Sequence, residues 1–159
     1  MPAPKKAPTL AVLSKYADEI RSDLAVPRQN DVFRIATEAG FLAANADGNV
    51  DDDEKKVIVE AVGLLSKGAV IEWEADTLLE EAGERLKKDG AEKRHEAVGA
   101  ELKDLGQPEA ALLFAAFVAQ ASGGIDKDEA EVLHAIGKGA GVAKNKITAM
   151  LKRVGASAD

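Results

Sequence analysis

The chain has 159 residues, 46% of them apolar and 31% charged, with a net charge of −7 and a pI near 5.0. That length and balance fit a single folded domain with a real core, and the acidity argues against a nucleic-acid or anionic-membrane binder. With no cysteine there is neither a disulfide framework nor a thiolate metal site or thiol nucleophile.

Residues 1–8 hold three prolines and two lysines and offer little to bury, so a disordered lead is expected there. The single domain then spans 9–159. A first helix runs over about 9–24, capped by Thr9, with Leu10, Leu13, Ala17, Ile20 and Leu24 on one stripe; Pro27 ends it. Asn30 or Asp31 is expected to cap a second helix, where Phe33, Ala36, Gly40, Phe41 and Ala44 recur at helical spacing. Gly40 inside that helix costs about 1 kcal/mol against alanine, which points to a close helix approach. After the break at Gly48, Asp51 caps a third helix with Val57, Ile58, Ala61, Leu64 and Leu65 inward, closed by Gly68. A fourth, about 72–88, buries Leu78, Leu79, Ala82 and Leu86 and carries Trp73 in its first turn as a structural anchor.

Gly90 separates a polar fifth helix, about 91–105, with only Ala97, Val98 and Leu102 for the core. Pro108, in the first turn where its missing donor is harmless, opens a sixth with Leu112, Leu113, Ala116, Phe117 and Ala121. A seventh buries Val132, Leu133, Ile136 and Ala140 and stops at Gly141; an eighth, about 143–154, is amphipathic through Ile147, Met150, Leu151 and Val154. No stretch alternates with period two, so the expected fold is all-α, about eight short helices. No apolar run approaches the roughly 20 residues of a spanning helix, and no hydrophobic signal segment follows the start, so a soluble cytoplasmic protein is expected.

The feature around which this order is arranged is residues 43–54 (AANADGNVDDDE), an elbow with five carboxylates: Asp47, Asp51, Asp52, Asp53 and Glu54. A shorter echo follows at 122–129 (SGGIDKDE). Each is preceded by a small-residue helix containing Phe41 or Phe117, and Val50 and Ile125 hold equivalent places. The pattern implies an internal duplication: three helices over about 30–88 repeated over about 107–154, the fifth as a bridge.

Asp51 with Glu54, and Asp126 with Glu129, fit a capping box, which accounts for those four residues but not for Asp47, Asp52 or Asp53. Crowded like charges would be relieved by a cation or a basic partner. On a calcium-loop template with Gly48 at position six, Asn45, Asp47, Asp51 and Glu54 fall at ligand positions, but position one is Ala43. An ion held there would be Ca²⁺ or Mg²⁺, because every candidate ligand is oxygen. The second elbow has Gly123 where Asp47 stands and lacks the same set.

Two Glu-x-x-His spacings, Glu92 with His95 and Glu131 with His134, match half of a di-iron carboxylate motif, although His95 and His134 sit on polar faces. There is no nucleophile–base arrangement in sequence and no phosphate-cradling loop, so a non-enzymatic protein without organic cofactor is the expectation. Charge is uneven: residues 47–81 hold eleven acids and three bases, net −8, whereas 138–153 hold five bases and no acid.

The segments 46–55 (ADGNVDDDEK) and 107–111 (QPEAA) leading through Phe117 into 122–129 resemble, in order and spacing, the repeated acidic signature of the TerB-like, tellurite-resistance family. The resemblance covers roughly 32–141. It implies a duplicated helical fold and an acidic face binding divalent metal. It also implies membership, with other proteins, of a cytoplasmic stress-resistance complex. The matching positions are Asp47, Asp51, Asp53 and Glu54, then Asp126, Asp128 and Glu129; Gly123 departs from the pattern. The alternatives are a di-iron enzyme using the Glu-x-x-His pairs and a purely structural subunit.

Overall fold

The computed structural model describes residues 29–46, 50–66, 70–121 and 124–156, and these are helical with no strand among them. The expected lead and first helix lie outside the described residues, as do Asp47, Gly48, Gly68 and Gly123. The helices are α1 (Gln29–Ala44), α2 (Asp52–Leu65), α3 (Glu72–Asp89), α4 (Ala91–Leu105), α5 (Pro108–Ala121), α6 (Lys127–Gly139) and α7 (Lys144–Ala156). No helix among the described residues is long and apolar enough to cross a membrane.

Two helices form the centre. α5 is apolar all round, and every residue from Ala110 to Ala121 is buried. α1 is buried from Val32 to Ala44 except at Arg34, and it crosses α5 in the most extensive helix pair of the fold. A Cβ on Gly40 would lie 2.7 Å from Val118 Cγ1 and 3.3 Å from the Ala115 carbonyl oxygen, so the missing side chain lets the two helices touch, as the sequence indicates. One turn and more away, the Phe33 and Phe114 rings pack tilted with centroids 5.3 Å apart. The other helices wrap this pair: α2 and α7 on α5, α3 and α4 on α1, and α6 against α1, α4, α5 and α7.

The helix ends follow elementary chemistry. Asp51 and Asp126, both extended, accept hydrogen bonds from the Glu54 and Glu129 amides at 2.7 and 2.9 Å, capping α2 and α6. Gly90 alone joins α3 to α4; its φ of +88° admits glycine readily and other residues only with strain, so the chain turns a corner in one residue.

Four sequence expectations are corrected. α1 begins at Gln29, which puts Asn30 and Asp31 in its first turn rather than at its cap. Val57 is 38% exposed because α2 turns Ile58, Val59, Ala61, Val62 and Leu65 inward; with most of its circumference apolar, periodicity does not set the phase. Ala97 faces out because Gly99 is the residue of α4 set against α6. Trp73 is no anchor: it is 67% exposed, and Ile71 beside it 48%.

Candidate functional site

The first elbow leaves α1 at Ala44, turns through Asn45 and Ala46, and is described again from Val50, whose buried side chain ties the loop to the core. The run that follows divides its labour. Asp51 caps α2, Glu54 is half-buried, and Asp52 and Asp53 stand exposed on the first turn. That turn carries three carboxylates over the positive end of the helix, a favourable place for negative charge.

The second elbow reaches the same neighbourhood. A cleft of about 320 Å³ is lined by Leu42, Asn45 and Ala46 of the first elbow, Leu86 and Ala91 of the α3–α4 corner, His95 of α4, and Asp128, Glu131 and Val132 of α6. Asn45 and Asp128, both singled out in sequence, therefore share one wall-to-wall space. Asp126 does not join them because its carboxylate caps α6, and Glu129 is buried. His95 and Glu131 face the cleft, whereas Glu92 and His134, their sequence partners, are not among its lining residues. Among the described residues no three His, Asp or Glu side chains gather closely enough to hold a metal ion. Both Glu-x-x-His pairs and the carboxylates of the second elbow are among those residues; Asp47 of the first elbow is not.

His95 is half-buried, and burial pushes its imidazole below the ordinary value against the opposing pull of Glu92. The folded chain thus resists a proton that the unfolded chain accepts near about pH 6.5. The stability this contributes is complete above that pH and is lost as pH falls through the lower, folded value. Unfolding temperature is expected to drop between about pH 7.5 and about pH 5.5, and His95→Gln to flatten that slope. A slope unchanged in the variant would assign the pH dependence elsewhere.

Sequence reasoning missed the most buried charge cluster. Glu38, 3% exposed in the middle of α1, is clasped by two arginines. Arg85 of α3 donates Nε and Nη2 to Oε1 at 3.2 and 2.8 Å, and Arg94 of α4 donates Nε and Nη2 to Oε2 at 2.9 and 2.7 Å. Charge-assisted, paired donors of this kind are the strong hydrogen bonds. Burial works against the Arg85 charge, yet Glu38 and Glu81 keep its guanidinium protonated more firmly than usual. The Gly90 corner makes the arrangement possible by directing Arg85 and Arg94, on successive helices, at one carboxylate. A cavity of about 630 Å³ opens over the cluster, lined also by Asp31, Arg34, Glu101 and Asp104. One signal was available: Asp31, Arg34 and Glu38 recur at helical spacing on one face, and Glu38 lies deepest among Ile35, Ala36, Ala39, Phe41 and Leu42, where a charge needs a partner.

Compared with protein-family models, curated proteins and solved structures, the chain matches none.

Proposed function

We propose that the chain is a non-enzymatic helical adaptor of TerB-like type, which takes a divalent cation or a basic partner at its first acidic elbow, residues 45–54. The observation that carries this reading is the meeting of the elbows: Asn45 of the first and Asp128 of the second line one cleft. In the first elbow Asp52 and Asp53 stay exposed, and Asp51 turns one carboxylate oxygen to the helix cap. The proposed ligands Asn45, Asp47, Asp51, Asp53 and Glu54 all offer oxygen, the donor that suits Ca²⁺ or Mg²⁺. The matching Asp51 and Asp126 caps support the duplication, with α1 to α3 answering α5 to α7 and α4 as the bridge. On the resemblance, the setting would be a cytoplasmic stress or tellurite-resistance complex; fold alone does not name the partner.

Thermal unfolding in the presence of Ca²⁺, Mg²⁺ or an oligolysine peptide tests the reading. At about a hundredfold excess over Kd, a ligand stabilises the fold by roughly 2.7 kcal/mol. Asp47→Asn is expected to abolish most of that gain. Asp126→Asn should keep it, since asparagine caps a helix as well as aspartate does. Stabilisation by oligolysine alone would select the basic partner over the ion, and no stabilisation by any of the three would defeat the elbow as a binding site.

A further inference from the structure

The chain's only tryptophan is solvated. Among the described residues the exposed large hydrophobic side chains are Val57, Ile71 and Trp73, and all three fall on the α2–α3 hairpin. Ile71 and Trp73 bracket the start of α3, where residues 70–81 hold five acids and no base. Glu74 and Glu81 pair with Arg34 and Arg85 at 3.5 and 3.7 Å, which leaves Glu72 and Asp76 as the acids beside this apolar projection that a basic surface can meet.

A complementary surface lies on the same molecule. Between α5 and α7 runs a cleft of about 400 Å³ whose floor includes Leu113 and Met150, whose wall includes Ala149 and whose rim carries Lys146, Arg153 and Glu109. Lys146 reaches Glu109 across it at 2.7 Å, so the cleft is bridged at one point by an exposed ion pair that a competing carboxylate can rearrange at little cost. Its volume falls within the range of ligand pockets. The helix behind it belongs to the segment 138–153, with five bases and no acid, the mirror image of the charge around Trp73.

We infer that Trp73 and Ile71 of one copy dock in the α5–α7 cleft of a second copy, the acids Glu72 and Asp76 meeting the basic rim. The contact joins two different surfaces, so it is head-to-tail: each copy offers one projection and one cleft, and association continues into a ring or an open chain. Aromatic anchors seated in a pocket dominate such contacts. A contact this small is weak, in the micromolar-to-millimolar range. The inference is independent of any ion or partner at the elbows, because the elbow and the Trp73 projection lie at opposite ends of the α2–α3 hairpin.

Trp73, being the single tryptophan, is its own reporter. In the full chain its emission is expected to shift to the blue as concentration rises, in step with an increase in mass by sedimentation. Ala149→Glu, at an exposed position on the cleft wall, should abolish both changes while circular dichroism stays native. Trp73→Ala should likewise remain monomeric. Mixed in equal amounts, these two variants retain one good projection and one good cleft between them, so they should form pairs and stop there. An emission maximum independent of concentration, a shift that survives Ala149→Glu, or a mixture that stays monomeric would each overturn the inference.

Discussion

Replacing Glu38 by alanine is expected to lower the unfolding free energy by roughly 3 kcal/mol, the lower end of what removing one member of a buried ion cluster costs. The substitution does more than delete hydrogen bonds. It leaves two guanidinium groups directed at the place Glu38 vacates, and Arg94, 13% exposed, keeps among the described ion pairs the longer one to Asp89 at 3.5 Å. Arg85 is 38% exposed and can swing into water, which is why the low end applies. For a chain of this size the loss corresponds to a fall of roughly 6–12 °C in Tm. Arg94→Met should cost less than Glu38→Ala, and Arg85→Met least. The triple replacement of Glu38, Arg85 and Arg94 by methionine should recover much of the loss, because no uncompensated charge remains. Chemical unfolding of the four variants settles the order. A Glu38→Ala chain within 1 kcal/mol of wild type, about the worth of an exposed pair, would show that the clasp does not hold the fold together.

The cluster also shows where sequence reading stops. Most helix ends are legible as local matters: Pro108 opens α5, Gly90 divides α3 from α4, and Asp51 and Asp126 cap as their spacing to Glu54 and Glu129 demands, whereas α1 already includes Asn30 and Asp31. Helix phase was legible only where one face is clearly polar. In α2 the apolar residues circle most of the axis, so tertiary packing and not periodicity decides that Val57 faces out. Gly40 announced a close approach because an apolar helix had no other use for it. Gly99, on a polar helix, announced nothing. The partners of Glu38 lie 47 and 56 residues away, beyond any periodic pattern, and only the corner at Gly90 turns both toward it. The elbows' meeting was hidden in the same way, since Asn45 and Asp128 are brought together by how α6 packs on α1 and α4.

Gly99→Ala is the second large effect expected, and it comes from one methyl group. A Cβ at this position would stand 2.6 Å from the Ile136 carbonyl oxygen, 2.8 Å from the Gly139 carbonyl carbon and 2.9 Å from the Ala140 nitrogen. All three are backbone atoms at the end of α6, so no side chain can turn aside, and α4 and α6 must separate. Overpacking that moves backbone costs typically about 1–3 kcal/mol, and the upper part of that range is expected here. Alanine would normally favour a helix over glycine by up to about 1 kcal/mol, so the clash must outweigh a gain before any loss is seen. Gly63→Ala isolates that gain. It lies inside α2, where among the described residues the nearest atom to an added Cβ is the Val70 carbonyl oxygen at 4.0 Å, and it should stabilise the chain by about 0.5–1 kcal/mol. Opposite signs for the same substitution at two helical glycines, read from urea midpoints at equal slope, follow only if α4 and α6 touch backbone to backbone. The consequence reaches the cleft between the elbows: His95 lies one turn before Gly99, and its carbonyl oxygen would be 3.6 Å from a Cβ on Gly139. Parting the two helices would therefore widen the space that His95, Asp128 and Glu131 share. In Gly99→Ala the His95 imidazole, wetted by that opening, is expected to titrate closer to its ordinary value than in wild type, a change that proton NMR of the ring measures directly.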